Sequence, residues 1–310
     1  MKPEINVCVA TYKRPALLQK LLRSLSAQDT GGEFSFTVIV ADNDAQRSAE
    51  AVVHEFNASG QQVIYAVEPE QNISLARNKS LSQATGDYIA TIDDDISADP
   101  HWLLNLYRAS TFYQADVVHG PVVPEFHPRT PAYVRESGVF TRPDPPTGAT
   151  EGYILATGNS LFRRALIEGV ATPFDPRFGR TGGEDAAFFH QLKKRGCRMI
   201  WCREARTFSF IPPRKTNWRW ILQREFRVGN GHYRVFDQGP VDLQRSRTAK
   251  ILNLGKRVAK LCSPVPFYLL AGLFDVQYTV KAIQRLRPTA FYTGIIAYFL
   301  GFQYEEYRGR

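Results

Sequence analysis

Strand-like and helix-like runs alternate through the first 113 residues, and that alternation restricts the possible fold more than any other feature of the chain. Ile5 to Ala10 (INVCVA) is apolar and β-branched. It is followed by Thr11-Tyr12-Lys13-Arg14-Pro15 and then by Leu17, Leu18, Leu21, Leu22 and Leu25 at helical spacing, with Pro15 at a natural helix start. The pattern repeats, with strands predicted at 37–41, 63–66 and 88–92 and helices near 49–57, 74–84 and 102–113. Repeated βα units predict an α/β fold whose central sheet is mainly parallel and covered on both faces. With 310 residues, 44% hydrophobic and 22% charged, the chain has ample core for such a fold, and disordered and fibrous architectures are excluded.

In parallel sheets ligands bind outside the carboxyl ends of the strands, and polar clusters fall there. Thr11-Tyr12 ends the first strand, Asp42-Asn43-Asp44 the second, and Asp93-Asp94-Asp95 the strand at 88–92. Three consecutive carboxylates repel one another unless a cation joins them, and their hard oxygens suit magnesium or manganese shared with substrate phosphates; a solvated acidic turn is the alternative. Arg77, near the start of a predicted helix in Ser74-Leu75-Ala76-Arg77-Asn78, suits a two-point grip on a diphosphate, and equally an exposed helix face. Asp42 and Asn43 suit hydrogen bonds to a base or ribose, or the capping of a turn.

The Pro- and Gly-rich stretch 121–150 is predicted as a long irregular connection, a usual place for a functional loop. Beyond it, Gly182-Gly183-Glu184-Asp185 opens a predicted helix with Phe188, Phe189 and Leu192 inward. The helix dipole there helps keep Asp185 ionised, as a general base requires, although a Glu-Asp pair also serves as a simple cap. Strands at 198–202 and 207–210 follow, and from Thr216 the pattern is helical.

Taken in order, Thr-Tyr-Lys-Arg-Pro (from Thr11), Ala-Asp-Asn-Asp (from Ala41), Asn-Ile-Ser-Leu-Ala-Arg-Asn (from Asn72), Ile-Asp-Asp-Asp (from Ile92) and Gly-Gly-Glu-Asp-Ala-Ala-Phe-Phe (from Gly182) closely resemble family 2 glycosyltransferases, and among them the bacterial succinoglycan-type glucosyltransferases. The likeness spans roughly residues 5 to 230 and continues through Trp220 to Arg224, Arg227 and Gly229. It implies the GT-A fold and inversion at the anomeric carbon. By position it implies that Thr11, Tyr12, Asp42 and Asn43 hold the nucleoside, that Arg77 approaches the diphosphate, and that Asp93 and Asp94 lie against ribose and phosphate. It makes Asp95 the ligand of Mn2+ or Mg2+ and Asp185 the base that deprotonates the acceptor hydroxyl. The chain departs from the pattern at 206–210, which lacks a histidine that relatives use as a further metal ligand. The Gln-x-x-Arg-Trp signature of processive synthases is also absent, which points to transfer of a single sugar.

The basic excess is concentrated at the C-terminus: residues 212–310 carry net +11, against −2 for the rest. Lys250, Lys256, Arg257, Lys260, Lys281, Arg285 and Arg287 are interleaved with the apolar runs 267–274 and 291–302. The uncharged stretch 289–302 is about 21 Å long as a helix, short of the roughly 30 Å hydrocarbon core. The expectation is therefore a catalytic domain over 1–235 and, over 236–310, a helical extension that lies on a membrane surface or packs on the protein. Four scattered cysteines fit a reducing compartment, and Met1 to Ile5 shows no apolar leader, so the expected location is cytoplasmic, peripheral to the inner face of the cell membrane. The expected activity is metal-dependent transfer of a hexose, glucose first among them, from a UDP-sugar to a lipid-linked oligosaccharide in bacterial surface polysaccharide biosynthesis. A nonenzymatic sugar-nucleotide-binding scaffold is one alternative. A nucleic-acid-binding protein is another, disfavoured because the apolar runs suit no phosphate-tracking surface.

Overall fold

The computed structural model describes residues 2–60, 62–236 and 243–305, which form two compact units. The first comprises Met1–Pro124, Arg142–Arg180 and Glu184–Phe210, the second Glu125–Thr141, Thr181–Gly183 and Ile211–Arg310.

The first unit opens with the predicted alternation: β1 (Glu4–Thr11), α1 (Pro15–Ser26), β2 (Ser35–Asp42), α2 (Glu50–Ala58), β3 (Val63–Val67), α3 (Ile73–Leu81), β4 (Tyr88–Ile92), β5 (Ile96–Ala98) and α4 (Trp102–Phe112). In chain order there follow β6 (Val117–His119), β7 (Val122–Phe126), α5 (Ala132–Glu136), which belongs to the second unit, β8 (Asn159–Arg163), α6 (Glu184–Lys194), β9 (Met199–Trp201) and β10 (Thr207–Ile211). Seven strands make the central sheet in the order β3-β2-β1-β4-β8-β6-β9. β1 runs parallel to β2 and β4, β2 to β3 and β6 to β9, whereas β8 is antiparallel to both its neighbours.

Alternation along β1 sends residues to opposite faces. Ile5, Val7 and Val9 join the buried leucines of α1 and Trp102, Leu103 and Leu106 of α4 on one side. Cys8 meets Ile39, Ile89, Phe162 and the α6 residues Phe188, Phe189 and Leu192 on the other. The α/β fold with a mainly parallel sheet and C-terminal helices is thus what the chain adopts.

Two stretches differ from the sequence reading. The stretch 121–150 contains β7 and α5. β7 joins β5 and β10 in a second sheet of order β5-β10-β7. The strand at 159–163 was not predicted at all, because its antiparallel pairing depends on partners distant in sequence.

The second unit is built around α7 (Trp218–Phe236), α8 (Leu243–Cys262), α9 (Val265–Ala271) and α10 (Val276–Phe299). The uncharged stretch 289–302 covers the second half of α10 and the three residues after it, and the first half of α10 carries Lys281, Arg285 and Arg287. Among the described residues no helix is long and apolar enough to cross a membrane. α7 and α10 cross with their backbones in contact: a Cβ at Gly229 would overlap the Phe291 carbonyl, and one at Gly294 the Phe226 carbonyl. Beside this crossing the fully buried Asn230 donates to the carbonyls of Gly294 (3.2 Å) and Phe302 (2.9 Å) and accepts from the Tyr304 N–H (2.8 Å). Because backbone cannot yield as a side chain can, Gly294→Ala is expected to lower unfolding stability by about 1–3 kcal/mol in urea titration. An unchanged midpoint would show that the helices separate without cost.

Candidate functional site

The site grows from the register of three adjacent strands. β1 pairs with β2 so that Thr11 lies opposite Asp42. β1 pairs with β4 through Ile5↔Tyr88 and Cys8↔Thr91, a constant offset of 83 that carries Thr11 level with Asp94, two residues beyond the strand. The Thr11 hydroxyl accordingly donates to Asp94 Oδ2 at 2.8 Å. β8 enters the sheet with Asn159 opposite Ile92, and the Gly158 backbone runs close to Asp93, since a Cβ there would lie 3.0 Å from Asp93 Oδ2.

Two arginines hold the aspartate triplet together. Arg14, at the N-terminal boundary of α1, places Nη1 3.0 Å from Asp94 Oδ1 and 4.0 Å from Asp95 Oδ2. Arg77 reaches Asp93 Oδ1 through Nη2 at 3.1 Å and lies 3.3 Å from Glu184 Oε1 through Nε. It sits in the second turn of α3 rather than at its start, the N-cap being Asn72, whose side chain accepts from the Ser74 and Leu75 N–H groups. Asp94 is only 4% exposed, and burial pushes its carboxyl up to about 6 despite Arg14 and Thr11.

Gly182 and Gly183, with φ of +75° and +97°, turn the chain into α6 through conformations that side chains disfavour. Glu184 and Asp185 then occupy the first turn. Glu184 is 4% exposed; burial and the neighbouring Asp185 charge push its carboxyl up to about 7, against the pull of Arg77. Asp185 is half-buried, and its Oδ1 accepts from the Ala186 N–H at 2.7 Å. An unbroken series of ion pairs, Glu184 to Arg77 to Asp93, therefore links the α6 corner to the aspartates.

Of the remaining predicted residues, Asp42 is fully buried and accepts from the N–H groups of Asp44 (3.1 Å) and Ala49 (2.8 Å) and from the Tyr65 hydroxyl (2.9 Å). Asn43 donates to the carbonyls of Glu68 (2.9 Å) and Glu70 (2.6 Å) and accepts from the Asn72 N–H (2.9 Å), tying the loops after β2 and β3 to α3. Tyr12 is half-buried, with Lys13 Nζ 5.1 Å from its ring centre. Arg14 and Glu184 escaped the sequence reading, although both lie inside motifs it used. The signal for Arg14 was its place in the short loop between the end of β1 and α1, beside the strand-end cluster.

The family model described as "Glycosyl transferase family 2" matches residues 6–170, more than half of the chain. The chain belongs to glycosyl transferase family 2. This family 2 chain is 34% identical over 232 residues to "Succinoglycan biosynthesis protein ExoM" of Rhizobium meliloti, covering 74% of each. Among solved structures it resembles a mannosyltransferase, PcManGT from Pyrobaculum calidifontis, determined with GDP-Man and Mn2+ (TM-score 0.64, 18% identity, 94% of this chain and 86% of that one). It also resembles residues 1–349 of S. aureus TarS, determined with UDP (TM-score 0.54, 18% identity, 98% and 93%). The fold shared with them is GT-A.

The hard oxygen donors of the triplet are of a kind that suits a divalent cation. Among the described residues no three His, Cys, Asp or Glu side chains cluster as an all-protein metal cage. Asp93 and Asp95 nevertheless keep 41% and 26% of their side chains exposed, offering one or two hard carboxylates beside which a diphosphate can complete the coordination.

In the folded chain Glu184 holds its proton more tightly than an ordinary carboxyl of about 4.5. The associated stability is fully present below that value and is lost as pH rises through about 7. Thermal melting of the ligand-free chain is expected to show the midpoint falling between about pH 6 and 7. Glu184→Gln, which cannot ionise, should remove that fall and leave the contribution of Asp94 below pH 6. The same slope in the variant would assign the ionisation to another group.

Proposed function

We propose that this family 2 enzyme is a metal-dependent inverting transferase. It moves one hexose, glucose first among the candidates, from a UDP-sugar to a lipid-linked oligosaccharide in bacterial surface polysaccharide biosynthesis. It works at the inner face of the cell membrane, with residues 1–235 as catalytic domain and 236–310 as the membrane-facing extension. The observation that carries the reading is the ion-paired series from Glu184, the neighbour of the candidate base Asp185, through Arg77 to Asp93, the first of the aspartates proposed to bind phosphate and metal. Support for the donor comes from the GT-A structures determined with UDP and with GDP-Man and Mn2+. Support for the pathway comes from the succinoglycan relative.

The chemistry divides between Asp185, beside the Glu184 end of that series, and the groups around Arg77 and the aspartates. Asp185 takes the proton from the acceptor hydroxyl, whose oxygen forms a bond to the anomeric carbon as the bond to the UDP oxygen breaks on the opposite side, inverting the centre. Arg77, pre-oriented by Glu184 and Asp93, presents its guanidinium to the diphosphate. Asp95 would hold Mn2+ or Mg2+, which would supply charge to neutralise the departing nucleotide. Thr11 and Tyr12 lie at the nucleoside end with Asp42 and Asn43, whose side chains contribute by fixing the loops around it; Asp93 and Asp94 face ribose and phosphate.

The test is release of UDP from a panel of UDP-sugars with manganese, with and without a polyprenyl-linked acceptor. Asp185→Asn is expected to lower transfer about 10²-fold or more while UDP still binds, and Asp95→Asn to abolish it. Full activity in Asp185→Asn would remove the base assignment. Nucleotide binding without turnover of any donor would leave a scaffold instead.

A further inference from the structure

Leu261 to Phe274 is a run of 14 residues without Asp, Glu, Lys or Arg, comprising the end of α8, all of α9 and the turn into α10. Val265 is buried, but Phe267, Leu269, Leu270, Leu273 and Phe274 are between 52% and 89% exposed. Five large apolar side chains within eight residues form a continuous apolar projection, unlike the scattered exposed leucines of an ordinary protein surface. Lys256, Arg257 and Lys260 at the end of α8, and Lys281 and Arg285 in the first half of α10, are exposed as well. Lys281 Nζ lies 4.7 Å from the ring centre of Tyr278, which lies 6.1 Å from the Phe267 ring and 6.3 Å from that of Tyr268, so cation and apolar surface are contiguous.

The charge pattern decides what can cover this surface. Residues 243–304 hold nine Lys and Arg and one acid, Asp275. Asp275 is engaged in capping α10, accepting from the Gln277 N–H at 2.9 Å, and Glu136 accepts from the Gln277 side chain at 2.7 Å. A second copy of the chain, meeting this face across a twofold axis, would set like charges against like. A nucleic acid would have to lie along phenylalanine and leucine. A bilayer with anionic headgroups matches both features: the apolar tip enters the acyl boundary, and each nearby Lys or Arg gains about 1 kcal/mol from the negative surface. α9 has seven residues, far too few to span, so it can only lie in the interface.

We propose that Phe267, Leu269, Leu270, Leu273 and Phe274 form a wedge that inserts into an anionic membrane surface, with Lys256, Arg257, Lys260, Lys281 and Arg285 on the surrounding headgroups. This deepens the membrane-facing part of the reading above and does not depend on the transfer chemistry.

The experiment is co-sedimentation of the full chain with phosphatidylcholine vesicles, alone or with roughly 30% phosphatidylglycerol. The chain is expected to pellet with the anionic vesicles, less so as salt rises. Leu270→Glu with Phe274→Glu should weaken binding at least about tenfold, and Lys256→Glu with Arg257→Glu and Lys260→Glu should abolish the preference for the anionic vesicles. Unchanged circular dichroism checks that each variant is folded. The proposal is overturned if the wild type stays in the supernatant with both vesicles, or if the folded wedge variant pellets equally. It is also overturned if sedimentation equilibrium gives a two-chain mass that falls to one chain in that variant, since a second copy would then cover the surface. UDP release from soluble donor, run in parallel, separates the two readings: it should be unchanged in the wedge variant, and its absence in a wild type that still pellets would defeat the transferase reading alone.

Discussion

Five carboxylates, Asp93, Asp94, Asp95, Glu184 and Asp185, are gathered at one edge of the central sheet, and they can stay there because Arg14 and Arg77 stand among them. Parallel strands bring their carboxyl ends together whatever residues occupy them, so the fold supplies convergence but not electrostatic balance. The arginines come from two helices on different parts of the chain, α1 and α3. Each reaches two carboxylates, which fixes the spacing of the acids as well as offsetting their repulsion. Arg77 is the more consequential of the two: removing it would leave Glu184, almost without solvent access, with no nearby positive charge, and would sever the α6 corner from the triplet.

Much of this arrangement was legible in the amino-acid sequence. The leucine spacing of α1, the β-branched runs of β1 and β2 and the placement of Thr11, Asp42 and the aspartate triplet at strand ends follow from local patterns, which report local structure faithfully. What was not legible has a common cause in long-range pairing. β6 has three residues, too few for any periodicity, and exists because β8 and β9 offer it hydrogen-bonding edges. The link from Glu184 to Arg77 joins residues more than a hundred positions apart, and nothing local in Glu-Asp distinguishes a helix cap from a buried ion pair. In α10, Lys281, Arg285 and Arg287 interrupt the hydropathy, so the uncharged stretch 289–302 looked like an element when its residues 289–299 are half of one.

The helical unit shows a different logic, in which absence of side chains does the positioning. Gly229 and Gly294 let α7 and α10 approach to backbone contact, and Asn230 then satisfies carbonyls that the close approach leaves without water. Packing of this kind tolerates little variation in distance. It gives α10, and the α9 turn that leads into it, a rigid base within their own unit. Apolar residues can thus be displayed outward at α9 without the helices collapsing to bury them.

The antiparallel strand β8 also bears on how the chain is made. β1, β2, β3 and β4 can pair once residue 92 has been synthesised, but the outer edge of β4 has to wait for Asn159–Arg163. At about 5–20 residues per second that interval lasts several seconds. Throughout it, the nascent chain presents an unpaired, wholly buried-type strand, Tyr88-Ile89-Ala90-Thr91-Ile92, to whatever edge comes near. The three carboxylates that immediately follow this strand place like charge at its end, which disfavours edge-to-edge pairing of nascent chains.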